Sequence, residues 1–527
     1  MRRHATLTLL LAGGLSFFLA LGGCDSLTSY NDNPNQATSA NPNNLLANSQ
    51  RYMAGEVFDD NWMMRRSSVW AQYTTQNFYP SESRYSPVTY PWAGFYNRLT
   101  DLKTAKQIAR EQPSTVQNQG NFQAVATIMQ VWAFQILTDA YGDIPLEEAL
   151  QQRNNQSPAY TPQSEIYPAL VDSLNTALGQ IDPGAAGPSG DLVNGGNMEL
   201  WQKFANGLKM RLGLRGYEAA GAGSWAEQAI TSANGNALQG NEDNVYFQFG
   251  TSATHRNDYY ENREVSFRDD FDGSDRFIGF METKYGAADP RLDAYFEQTS
   301  NTGRPCEDGS GEYAGFPFAL EQGDAQGLYG ANPSCAFSRP EAWFPSGPSG
   351  SGDSFAPMMY YDEVLLTKAW AVNEGIISGD AQALIGDAIE ASVDFYGSET
   401  DADISSSSTA TQNYIAQVQS DFASDPLQVI GEQRYIAFYM HNIQGWSTWR
   451  RFDFEGVLGS PEGGVAGGFD QYVPLRVPYP DSEANLNGDN YTTAAQNMCG
   501  GVQDEDEDCQ MWWDVDGPPA DDPYSAD

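Results

Sequence analysis

The side chains best suited to ligand contact in this sequence are aromatic rings set in loop-like stretches. Phe78, Tyr79, Tyr85, Tyr90 and Trp92 fall in a Pro- and Ser-rich run that also holds Arg84, and Tyr313, Phe316, Phe318, Trp343, Phe344 and Phe355 fall in a Gly- and Asp-rich run mid-chain. A flat ring can stack on the apolar C–H face of a pyranose while Asn, Arg and Asp bond its hydroxyls, and the same rings can grip peptide side chains. Aromatics make up 13% of the chain, so most must be buried, and any of these rings could instead plug the loop core. Tyr79, Arg84, Tyr85 and Trp92 from the first run, with Tyr313, Phe316 and Trp343 from the second, are the candidates for ligand contact, flanking two ends of one cleft.

A second kind of chemistry sits at the N-terminus. Arg2, Arg3 and His4 precede an apolar run from Leu7 to Leu21, too short for a comfortable membrane span, which reads as a secretory signal peptide over residues 1–23. Leu21-Gly22-Gly23-Cys24 follows and resembles a bacterial lipobox: small residues admit a signal peptidase, and the Cys24 thiol offers an atom for lipid attachment. An ordinary signal peptide before an incidental cysteine is the alternative. Two or more acyl chains would anchor the mature protein stably, with residues 24–43 as a lipidated flexible tether.

Removing Cys24 leaves Cys306, Cys335, Cys499 and Cys509, an even number in an exported chain. Local disulfides, 306 with 335 and 499 with 509, are the economical pairing. A metal site is the rival reading, but no C-x-x-C spacing exists and only His255 and His441 remain after cleavage.

Catalytic signatures are missing. There is no H-E-x-x-H, G-x-S-x-G elbow, P-loop or dinucleotide fingerprint. With 69 acidic residues, counting alone leaves a glycosidase-like carboxylate pair open. The expectation is a protein that is not an enzyme and holds no cofactor. Asp504 to Asp508 is the one run that could chelate Ca²⁺, although it lacks the spaced turn of a calcium loop and reads better as solvated chain.

Positioning such residues needs a large folded body. The chain has 527 residues and 40% hydrophobic content, enough for a sizeable core. Its 28 Lys and Arg against 69 Asp and Glu give a net charge of −41, which argues against nucleic acid, whose binding rests on cations neutralising phosphates. A mean hydropathy of −0.50, with no long apolar run beyond residue 21, excludes a polytopic helical membrane protein. The acids are scattered along the whole chain, as in proteins adapted to salty surroundings, where screening relieves self-repulsion.

Helical periodicity covers Asn44–Phe58, Asn121–Tyr141, a segment opened by Thr161-Pro162, Glu199–Leu214, Tyr360–Glu374, Asp380–Phe395 and Pro426–Arg451. Val125, Ile128, Met129, Trp132 and Ile136 mark the strongest of these, closed by Gly142 and Pro145. The expected fold is mainly α, an α-solenoid of degenerate tetratricopeptide-like helix pairs with a loop-rich face. One domain would span 44–527: scaffold over about 44–240 and 358–452, a loop-rich insert over about 241–357, and a loop-rich tail over 453–527. Trp446 and Trp449 share a helical face and should be core, with Arg450 and Arg451 paired to acids.

Several segments, in order, resemble the SusD/RagB family of outer-membrane nutrient-binding lipoproteins, in its SusD-like branch. They are Asn31-Asp32-Asn33-Pro34-Asn35, Asn43-Asn44-Leu45-Leu46, and Asp139-Ala140-Tyr141-Gly142-Asp143-Ile144-Pro145 with Glu147-Glu148-Ala149, where Leu146 replaces the family's usual aromatic residue. Asp289-Pro290-Arg291, Tyr361 to Ala369, Gln433-Arg434-Tyr435 and Gly445-Trp446-Ser447-Thr448-Trp449-Arg450-Arg451 follow, then Pro474, Arg476, Tyr479 and Glu483. The resemblance spans residues 31 to 491. It implies four degenerate tetratricopeptide units, a loop-rich ligand face, and a SusC-like TonB-dependent transporter as partner. The function it implies is surface capture of a nutrient, an oligosaccharide first. A peptide-capturing RagB-like lipoprotein, a secreted glycan-degrading enzyme, and an envelope protein acting through its helical repeats are the rival readings.

Overall fold

Helix ends written in the sequence set the framework. α1 (Pro42–Val57) opens on a proline, tolerated because the first turn needs no intrahelical N–H. α2 (Trp92–Glu111), α3 (Gln119–Tyr141), α4 (Gln163–Gln180), α5 (Met198–Ala220) and α6 (Trp225–Ala233) follow, each packed on the next. At the start of α3 the Asn118 side chain accepts the Asn121 N–H at 2.9 Å, and Gly142 ends the helix at φ 81°. A Cβ at Gly142 would also collide with the Met498 sulfur, so two constraints select glycine there.

A second series, α9 (Tyr361–Asn373), α10 (Ala381–Glu399), α11 (Thr409–Phe422), α12 (Pro426–Ala437) and α13 (Ile443–Phe452), packs in the same successive manner. Between the two series lie α7 (Asp275–Thr283), α8 (Gln322–Ala331) and three strands, which together with a strand between α1 and α2 form two small antiparallel sheets. β1 (Thr74–Gln76) pairs with β3 (Phe271–Gly273), Thr75 opposite Asp272. β2 (Val245–Gln248) pairs with β4 (Phe355–Met359). α14 (Gly488–Cys499) closes the order. This computed structural model describes residues 40–86, 92–151, 154–300, 312–331, 336–441, 443–453, 458–466, 473–499 and 509–515. Residues 42–527 cluster as one unit.

The fold is mainly helical, as the periodicity implies. Three differences are instructive. α2 starts at Trp92, inside the run read as a loop, because its polar residues hide the apolar period of Phe95, Leu99, Leu102, Ala105 and Ala109. The long helix expected over 426–451 is two, broken where Met440 takes φ 58°. The 241–357 segment carries three of the four strands among the described residues, too short to register as alternation.

Trp446 and Trp449 are fully buried. Gly445 lets α13 approach Tyr73 so closely that any Cβ would strike the Tyr73 hydroxyl, which donates to the Tyr435 carbonyl at 2.6 Å. Arg451 pairs with Glu218 at 2.6 Å. Arg450 departs from the expected ion pair: its guanidinium lies 3.4 Å from the Trp446 ring centroid and donates to the carbonyls of Leu475 (2.7 Å) and Asp139 (3.0 Å).

Among the described residues ten Lys and Arg are buried against ten buried Asp and Glu. The described interior is therefore balanced in formal charge. Cys499 and Cys509 are bonded, Cα atoms 5.3 Å apart, tying the end of α14 to a segment that buries Met511 and Trp513. Cys24, Cys306, Cys335 and the run Asp504–Asp508 lie outside the described residues. No helix among the described residues is long and apolar enough to cross a membrane.

Candidate ligand-binding surface

The β1–β3 ladder sets two loops side by side. Gln76 faces Phe271, and the Asn77 N–H continues the pairing to the Asp270 carbonyl at 2.9 Å. The buried Asn77 side chain donates to the Asp269 carbonyl (2.9 Å) and the Asp272 carboxylate (3.0 Å), pinning the loops together. Burial, ahead of the opposing pull of Asn77, raises Asp272 to about 6.

Beyond this clamp the chain turns aromatic rings outward. Phe78 is 40% exposed, Tyr79 44% and Phe267 86%. Phe78 meets Tyr79 edge-on at 4.9 Å. The Arg268 guanidinium stands 6.0 Å from the Tyr79 ring centroid and is held by Asp270 at 2.9 Å through its Nε. Gln326 of α8 donates to the Phe78 carbonyl at 3.2 Å, bringing a third element to the rim.

Phe267 is unusual in two respects at once. Its φ is 54°, in the left-handed region that costs a side-chain-bearing residue about 1–2 kcal/mol. Its ring also lies almost wholly in water, forgoing the burial that would stabilise a phenylalanine by about 1.5–3 kcal/mol. Backbone strain and apolar exposure on one residue make it a candidate contact residue.

The candidates named from sequence scatter. Tyr79, Arg84, Tyr85 and Phe316 gather near β1. Arg84 donates through Nε to the Gly464 carbonyl at 2.7 Å and approaches Glu321 at 3.9 Å. Tyr85 is buried, its hydroxyl accepting from Gln72 at 2.7 Å, and Phe316 is buried against Phe337. Tyr313 is half-buried and bonds the Asp293 carboxylate.

Trp92 lies elsewhere, buried in an aromatic box with Tyr96 (5.0 Å), Tyr141 (4.9 Å) and Tyr479 (5.8 Å). Trp343 is buried edge-on to Phe355 at 5.2 Å under β4. Four of the six proposed rings are thus core, and a single cleft flanked by both runs is not what these positions form. Tyr79 keeps an open ring, and Phe267, absent from the sequence candidates, joins it. The available signal was one ring between Arg263 and the charged triplet Arg268-Asp269-Asp270.

The profile of a family described as starch-binding and associating with the outer membrane, SusD-like, matches residues 34–480. Among solved structures, a chitin-binding protein is 25% identical with a TM-score of 0.72, covering 90% of this chain and 100% of its own. A chitin-binding SusD homolog from Flavobacterium johnsoniae is 21% identical with a TM-score of 0.68, over 90% and 98%. A SusD homolog from Bacteroides fragilis is 20% identical with a TM-score of 0.70, over 90% and 99%. No curated protein matches the chain. A profile match over most of the sequence and this shared helical architecture have one consequence: the chain belongs to the SusD-like family.

Proposed function

We propose that this protein is a nutrient-binding lipoprotein, anchored to the outer membrane through Cys24, that captures an oligosaccharide and delivers it to a SusC-like TonB-dependent transporter. It binds and hands over; it does not cleave. The observation that carries the reading is the exposed ring set of Phe78, Tyr79 and Phe267, held by the β1–β3 clamp of a SusD-like fold. Rings that meet edge-on offer faces in different directions, which suits a curved glycan chain better than a flat one. Arg268 and the amide of Gln326 at the rim supply donors for sugar hydroxyls. The chitin-binding structures of the same architecture favour a glycan over a peptide.

Calorimetric titration of the mature protein with chito-oligosaccharides, malto-oligosaccharides and mixed peptides tests this. Saturable binding of at least one glycan series is expected. Binding confined to peptides overturns the glycan reading, and turnover of any glycan overturns the binding role.

A further inference from the structure

A cavity of about 550 Å³ opens beside α5. Glu199, Gln202, Asn206 and Lys209 line it from that helix, spaced so that they share one face. Ser232 of α6 and Gln239 just beyond it belong to the rest of the lining. Lys209 is 4% exposed, and its ammonium donates to the Ser232 hydroxyl at 2.8 Å. That hydroxyl passes its own proton on to the Ala229 carbonyl at 3.2 Å. An ammonium carries three donors, so this bond leaves most of its capacity unused.

Lys209 is the exception among the ten buried Lys and Arg of the described residues. Six of them pair with a carboxylate. Three more, Arg434, Arg450 and Arg476, lie against an aromatic ring. Lys209 does neither, and a buried cation without a counter-ion is costly. Neighbouring acids do not supply one. Asp243 is held by Lys203 at 2.6 Å and by the Gln239 N–H at 2.8 Å. Glu199, the one carboxylate of the lining, is exposed and lies about 15 Å along the helix axis from Lys209 at 1.5 Å per residue. Burial alone lowers Lys209 from the ordinary lysine value. The Gln202 amide also makes no side-chain hydrogen bond with any described residue.

We propose that this cavity binds a small hydroxylated carboxylate, a sugar acid, its carboxylate paired with Lys209 and its hydroxyls met by the amides of Gln202 and Asn206. One unbalanced positive charge calls for one negative charge, and a wall of amides and a hydroxyl calls for a body rich in hydroxyls. The ligand supplies the counter-ion that the fold withholds from Lys209, and a charge-assisted bond in a partly desolvated site is stronger than a neutral one. The site is distinct from the ring surface of Phe78, Tyr79 and Phe267 and does not depend on what that surface binds.

Calorimetric titration of the mature protein at about pH 7 with D-glucuronate, D-glucuronamide, D-glucose and D-glucose 6-phosphate tests this, because the four share a ring and differ in charge. Glucuronate should bind at least tenfold tighter than either neutral sugar. Lys209→Met should erase that preference while melting at or above the wild-type temperature, since it removes a buried charge that has no counter-ion. Gln202→Ala should weaken glucuronate several-fold and leave the preference for it over glucuronamide in place. Phe267→Ala should change nothing, which separates this site from the proposed glycan surface. Equal binding of glucuronate and glucuronamide, no binding of glucuronate, or a preference that survives Lys209→Met overturns the proposal. So does loss of glucuronate binding in Phe267→Ala, or tighter binding of glucose 6-phosphate than of glucuronate.

Discussion

Arg211 of α5 grips Glu363 of α9 through two hydrogen bonds of 2.6 Å, with both side chains 1% exposed. The same guanidinium donates to the Met358 carbonyl at 2.7 Å. The two residues lie 152 positions apart, and their pairing joins the first helical series to the second. A buried pair of this kind contributes less net stability than its Coulomb energy suggests, because both ions were desolvated, but removing one partner leaves an uncompensated charge. Glu363→Gln is therefore expected to cost about 3–5 kcal/mol by denaturant unfolding, and the Arg211→Met/Glu363→Leu double variant markedly less. A double variant as unstable as the sum of its singles would show that the pair itself, not the orphaned charge, carries the energy.

The neutral interior bears on salt. With buried cations and acids balanced among the described residues, their core holds no share of the acidic excess of a chain whose net charge is −41. Raising salt to about 1 M shortens the Debye length to about 3 Å, so the melting temperature should climb from low to molar NaCl. A flat response would mean that surface acids are already compensated.

Asp272 supplies a pH test. Its folded value is raised by burial from 3.8 to about 6, so the folded state binds the proton more tightly than the unfolded chain. Stability from this group is present at low pH and is lost as pH rises from about 4 to about 6. Two units correspond to up to about 3 kcal/mol. Asp272→Asn keeps an acceptor for Asn77 and removes the titration. Relative to wild type, its unfolding free energy should be unchanged or lower at pH near 4 and higher above pH near 6. A difference independent of pH contradicts the assignment.

Trp92 tests the distinction between packing and contact. It is 7% exposed and boxed by four tyrosines, Tyr96, Tyr141, Tyr160 and Tyr479. Trp92→Ala should lose about 3–5 kcal/mol of stability while ligand affinity, measured on the folded fraction, stays close to wild type. Loss of affinity without loss of stability would return Trp92 to the binding surface.

These residues also show what sequence could and could not convey. The Gly142 stop, the α3 period and burial of Trp446 with Trp449 depend on near neighbours, and each was legible. The Arg450 stack on Trp446 depends partly on i, i+4 spacing but also on carbonyls from Leu475 and Asp139, far away in sequence. The ring surface was half legible. Tyr79 stood out as an aromatic in a loop-like run, but Tyr85 and Phe316 in the same kind of sequence are core, because distant partners cover them: Gln72 and Phe318 at Tyr85, Ser274 and Phe337 at Phe316. Phe267 carried only a faint signal, a lone ring beside the charged triplet Arg268-Asp269-Asp270, because its strain arises from φ, which no residue pattern around it encodes.

The central claim is that exposed rings on the β1–β3 loops contact the glycan, and one paired measurement tests it most directly. For whichever glycan the wild type binds, Tyr79→Ala and Phe267→Ala are compared by calorimetry and thermal melting. Loss of a stacked anchor commonly costs about 2 kcal/mol, so each variant should weaken binding roughly 30-fold. Phe267→Ala should melt at or slightly above the wild-type temperature, since it removes an apolar ring that is 86% exposed. Wild-type affinity in both variants would contradict the account and place the ligand elsewhere on the molecule.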